Sequence, residues 1–282
     1  MIKNEFLNSL SDTEIKEIIN KVNSCLGEYK KSSRVIKEDV FKILEMNCKT
    51  LYYPIKDDDV CGFVYKLKDN KIACINSSIP MEKQVFAAAH ELYHILYSDI
   101  DNGELINSEV IDEKIPLNEM SREDLKANKF AAEFLVPEEV FRNELSIRNI
   151  KKDSIGLKGI VELMDVFLVP YKTLVRRLYE VDYITIVKCN ELLNEVDRKE
   201  DTGVMLWQKR LGLCKRNNER TKEIKLDKLV DMALELYDKN QITYEKLNYL
   251  LGLSNLNPSE FNIFEEKYEL PPEDEILKIM EE

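Results

Sequence analysis

His90 and His94 are the only two histidines in this 282-residue chain, and they stand four residues apart with Glu91 directly after the first. On a helix, positions i and i+4 lie one above the other, so both imidazoles can bind one metal ion while the glutamate reaches a water beside it. This HExxH arrangement suits zinc: the rings supply two ligands of a tetrahedral site, and Glu91 supplies a general base for hydrolysis of a peptide bond. A catalytic zinc site also needs a third protein ligand and an open position. With no further histidine in the chain, that ligand has to be a carboxylate or a cysteine.

The segment beginning at Ser121 offers Glu123, Asp124 and Glu133. Asp124 shares a helical face with Ala127, Asn128, Ala131 and Leu135, so a helix laying its small residues on the motif helix would turn Asp124 inward. Ser121-Arg122-Glu123-Asp124 also has the form of a capping box, in which Asp124 would close the helix N-terminus. The spacing is compatible with both roles.

These residues require helices and a sheet to position them. Apolar residues recur at Val85, Ala88, Ala89, Leu92 and Leu96 with helical spacing, and Pro80 and Glu82 suit a helix start. Ala87, Ala88 and Ala89 allow a neighbouring element to approach closely. Ahead of this helix, Ser11 or Asp12 caps a helix through Leu26 that ends at Gly27, and Val40 to Met46 predicts a second. Cys61 to Val64 and Ile72 to Ile75 read as strands joined around Asp69-Asn70. The second of these could be purely structural or could pair with an extended substrate at a sheet edge. Beyond the motif, helices are predicted over 121–136, 138–145, 160–167 and 171–179, with a break at Pro170. Tyr183 to Val187 is a short β-branched run. Two more amphipathic helices cover 226–237 and 244–251, before an acidic tail.

Composition narrows the function classes. With 44% hydrophobic and 33% charged residues the chain is a folded protein and not a disordered one. A net charge of -12 argues against direct nucleic-acid binding by the molecule as a whole. The local cluster Lys209, Arg210, Lys215, Arg216, Arg220 and Lys222 is interleaved with Asn217, Asn218 and Glu219, as in a solvated linker. Six widely spaced cysteines contain no CxxC pair, so reduced thiols are expected instead of a disulfide framework. No apolar run reaches about 18 residues, and Lys3, Asn4 and Glu5 interrupt the region where a secretory signal would lie. The expectation is a cytoplasmic protein with no membrane partner.

Three blocks carry a family resemblance. Ala88-Ala89-His90-Glu91-Leu92-Tyr93-His94-Ile95-Leu96, the stretch Asp124 to Pro137, and Phe167-Leu168-Val169-Pro170 with Arg177-Leu178 resemble the ImmA/IrrE metallopeptidases in order and spacing, over roughly residues 38 to 182. The resemblance implies an α+β fold, mainly helical, with a zincin-like metallopeptidase core and a small sheet. Around it stand a helical N-terminal arm and a C-terminal helical module. The expected organisation is 1–36 arm, 37–182 core, 183–223 connecting segment and 224–282 module with its acidic tail.

The resemblance also implies zinc (Zn2+) held by His90, His94 and Asp124, with Glu91 as catalytic base. The family has an acidic residue, usually Glu, three before the Ala-Asn pair, where this chain has Asp124; Glu123 stays as the alternative. Pro170 stands where the family usually has Ser. The implied activity is endoproteolysis of a cytoplasmic regulatory protein, a helix-turn-helix repressor of a mobile element, phage or stress response. The competing reading is a regulatory or toxin-like binding module that keeps the fold and sequesters a partner.

Overall fold

The structure, a computed structural model, describes residues 10–68, 70–107, 120–226 and 228–265. Its first helix, α1 (Asp12–Glu28), starts at Ser11, whose hydroxyl accepts the Glu14 amide while Glu14 accepts the Ser11 amide in return. Ile18, Val22, Cys25 and Leu26 form its buried stripe and pack toward α4 (Arg122–Leu135). Arg122 grips Glu14 through two bonds, at 2.8 and 2.6 Å. The helix expected as an added arm thus shares the main core, because a stripe of this width is costly to leave in water.

After α2 (Asp39–Asn47) come the strands β1 (Lys49–Tyr53), β2 (Gly62–Leu67) and β3 (Asn70–Asn76), and later β4 (Leu105–Asn107). They form one sheet in the order β1-β3-β2-β4, with β1 parallel to β3 and the other pairs antiparallel. β3 is therefore central. Ile72 to Asn76 pairs with β1 on one side and β2 on the other, so both rows of its backbone groups are used and no substrate strand can add there. The outer positions belong to β1 and β4, the two strands the sequence pattern does not announce. The outer side of β1 is met by Lys225, which exchanges two 3.0 Å backbone bonds with Tyr52. The turn residue Asp69 lies outside the described residues.

The long helix α3 (Met81–Tyr97) packs on the sheet, on α2 and on α4, and is buried along most of its length. The chain continues through α5 (Glu138–Ile147), α6 (Leu157–Phe167) and α7 (Tyr171–Glu180). At the Pro170 departure the turn is tight: Leu168 closes α6 in the left-handed region (φ 53°), and Pro170 opens α7 with its fixed φ of -58°. The buried guanidinium of Arg177 ties α7 to the end of α4, bonding Glu133 and Glu180 at 2.6 Å each and the Val136 carbonyl. Lys129 completes the network with both carboxylates, so no charge in it is left alone.

The stretch expected as a connector adds three helices to this core. The β-branched run Tyr183 to Val187 is a turn that starts α8 (Ile186–Leu193), capped by Thr185. α9 (Gly203–Leu211) packs on α6, and α10 (Cys214–Asn217) on α3 and α6. The basic cluster is dispersed into ion pairs, Lys209 with Asp201, Arg216 with Glu38 and Arg220 with Asp58. All six cysteines are free thiols.

A first compact unit ends at Lys225, and a second begins at Leu226. The second contains α11 (Leu229–Asp238), α12 (Tyr244–Gly252) and a 3-10 turn at Pro258–Phe261 around Ala233, Leu247 and Leu251. The acidic tail beyond residue 265 lies outside the described residues. Among the described residues no helix is long and apolar enough to cross a membrane.

Candidate metal centre

The two histidines face one point because α3 is regular from Met81 to Tyr97, and both rings are fully buried. Their Nε2 atoms stand 3.1 Å apart. Asp124 enters from the first turn of α4, where Ser121 is the N-cap: its Oγ accepts the Asp124 amide at 3.0 Å and donates to Asp124 Oδ2 at 2.5 Å. The other carboxylate oxygen, Oδ1, lies 3.2 Å from His90 Nε2 and 3.4 Å from His94 Nε2. One oxygen and two nitrogens thus form a small triangle, and these three residues could hold a metal ion. Ligands about 2.0 to 2.2 Å from zinc in a tetrahedron stand about 3.4 Å from each other, so the edges fit that ion.

The far side of each ring is also held. His90 Nδ1 meets Asn128 Oδ1 at 3.1 Å and His94 Nδ1 meets Ser98 Oγ at 3.0 Å. An amide oxygen can only accept, so His90 carries its proton on Nδ1 and turns the Nε2 lone pair inward, as a metal ligand needs. Burial pushes the His90 imidazole below its ordinary value, with His94 adding to the shift, so the ring is neutral at pH 7. Burial works against charge on Asp124 as well. Its contacts with the His90 and His94 rings and the hydrogen bond from the Ser121 hydroxyl nonetheless hold its carboxyl well below the usual carboxylate range, and it stays ionised.

The neighbouring candidates are occupied elsewhere. Glu123, the alternative ligand, projects outward and pairs with Lys126 at 2.6 Å with about half its side chain exposed. Glu133 belongs to the Arg177 network. The shorter Asp124 reaches the rings because α3 and α4 meet through small side chains, with Ala88, Ala89, Ala127 and Ala131 all buried. Tyr93 packs among Tyr97 and Phe130 beneath Lys21.

Glu91 is fully buried on α3 and its carboxylate lies against Gly62, the first residue of β2. A Cβ at position 62 would fall 2.6 Å from Glu91 Oε1 and 2.9 Å from the Cys74 carbonyl, so only glycine fits. Gly62, Asn128 and Ser98 are site residues that sequence reasoning did not assign. Asn128 and Ser98 had a signal, each lying one helical turn beyond a candidate ligand, Asp124 and His94. Gly62 had none, because its neighbour comes from a different element.

No curated protein matches the chain. Residues 44–179 match the family model described as the IrrE N-terminal-like domain, peptidase M78. The match begins inside α2 and ends inside α7, so it spans the sheet, the histidine helix, the helix carrying Asp124 and the turn at Pro170. Over that stretch the chain carries a metallopeptidase-like domain of the α+β class, similar to the IrrE N-terminal-like family.

Proposed function

We propose that this protein is a zinc endopeptidase whose substrate is a cytoplasmic helix-turn-helix repressor. The observation that carries the reading is the buried triangle of His90 Nε2, His94 Nε2 and Asp124 Oδ1, with the far nitrogen of each ring held by Asn128 or Ser98 and Glu91 one residue after the first histidine. These three residues would hold the ion; zinc, when bound, supplies Lewis acidity toward a water and a peptide carbonyl. Glu91, rigidly seated against Gly62, takes the proton from the attacking water and returns it to the leaving amine. The chain's charge of -12 complements a basic DNA-binding partner, which speeds encounter without selecting the scissile bond. Free thiols and the absence of a membrane-spanning helix among the described residues accord with work in the cytoplasm.

Incubation with a candidate helix-turn-helix repressor from the same genome, read by mass spectrometry, tests the proposal. Zinc-loaded wild type should cut the repressor, and Glu91→Gln should cut at least about 100-fold more slowly while keeping about one zinc per chain. His90→Ala and His94→Ala should lose the metal. Equal cleavage by Glu91→Gln would overturn the mechanism, and stoichiometric zinc in the double histidine variant would overturn the site.

A further inference from the structure

Lys71 reaches from β3 to the C-terminal end of α3, and its Nζ converges on three carbonyls: Ile95 at 2.8 Å, Ser98 at 3.0 Å and His94 at 3.4 Å. The last carbonyls of a helix have no intrahelical partner, and an ammonium among them also meets the negative end of the helix dipole. Two of the three carbonyls belong to the pair that sets one ligand. Ser98 Oγ holds His94 Nδ1 at 3.0 Å, and the Ser98 amide donates to the His94 carbonyl at 3.3 Å. The ammonium therefore clamps the backbone of both the ligand and the residue that orients it.

We infer that Lys71 is a positioning residue for the metal centre: by fixing the end of α3 and Ser98, it sets the orientation of His94 and with it the affinity for zinc. This rests on the assignment of His90, His94 and Asp124 as ligands. Lys66, also presented by the sheet, gives the contrast. Its Nζ bonds the Ile100 carbonyl at 2.7 Å, beyond the helix and beyond Ser98. Two lysines of the same sheet thus hold the same descending segment, and only one touches the ligand's own backbone.

The sign of the effect separates positioning from simple charge. Removing a cation near a cation site should tighten zinc if Lys71 acted through its field alone, whereas loosening His94 should weaken it. The experiment is zinc affinity by competition with a chromophoric chelator, together with the visible absorption of the cobalt(II) form, on the full chain. Lys71→Met should lower zinc affinity about tenfold and shift the cobalt bands, Lys71→Arg should recover most of both, and Lys66→Met should stay within about twofold of wild type. Unchanged or tighter binding by Lys71→Met, or an equal loss in Lys66→Met, would overturn the inference. If Lys71→Met does not fold, Lys71→Gln decides: at least a threefold loss supports the role and wild-type affinity overturns it. Metal retained by His94→Ala would overturn the ligand assignment instead, so the two failures are told apart.

Discussion

Two adjacent carboxylates, Glu123 and Asp124, show how finely residue identity matters at the candidate metal centre. A one-residue step along α4 rotates a side chain by about 100°, which turns Asp124 to the imidazoles and Glu123 to Lys126 in solvent. Asp124→Asn should therefore cut zinc affinity at least about tenfold and Glu123→Gln leave it unchanged, by chelator competition. Release of zinc by Glu123→Gln alone would reverse the assignment. At Gly62 the constraint is space. Gly62→Ala forces either the Glu91 carboxylate or the Cys74 backbone to move, so cleavage should fall at least about tenfold with zinc retained, and stability should drop by about 1–3 kcal/mol. Metal content and a urea melt measured on the same preparation check both parts.

Helix α3 is held at both ends by groups from other elements, and its N-terminal end predicts a pH dependence. Glu82 in its first turn is fully buried, bonded to Arg198 from the segment before α9 and to Asn217 of α10. Burial, with Asp197 nearby, pushes its carboxyl up to about 7 in spite of Arg198. The folded state then binds a proton that the unfolded chain releases near 4.5, so this group lowers stability as pH rises from about 4.5 through 7. Glu82→Gln removes that dependence. Its amide can also donate to Asn217 Oδ1, a buried atom without a partner, once the Asn217 amide turns over. The variant should gain up to about 3 kcal/mol over wild type at pH 8 and little at pH 4, in denaturant melts at both values. A wild-type advantage at pH 8 would show that the Arg198 pair outweighs burial.

At the scale of the whole molecule, the family match ends at residue 179 but the compact unit continues to Lys225. The additional stretch is structural: α8 packs on α7, α9 on α6, Arg198 and Asn217 hold Glu82, and residues 222–225 bond Ser77 and the outer side of β1. A chain cut after Lys225 should fold and bind zinc with wild-type affinity. One cut after residue 182 should be strongly destabilised or insoluble, because it exposes the apolar faces of α6 and α7 and opens a strand edge. Circular dichroism melts and zinc titration of the two truncations decide where the unit ends.

What the sequence determined by itself was local. The i, i+4 histidines with Glu91, the helices from α1 to α7, and the hairpin of β2 and β3 follow from spacing, periodicity and capping residues, all of which act within a few turns of chain. Asp124 was singled out by a shared face with Ala127, Asn128 and Ala131, and in the structure Ser121 caps the backbone while the Asp124 carboxylate lies beside the rings. Tertiary structure decided everything that depends on a distant neighbour. β1 and β4 are too short or too close to a helix to announce themselves, yet they make β3 central. α1 and the stretch beyond residue 182 read as appendages because an amphipathic stripe does not say what it will cover. Gly62, Lys71 and Glu82 are unremarkable in sequence; each acquires its role from an atom on another element, at a distance that only packing sets.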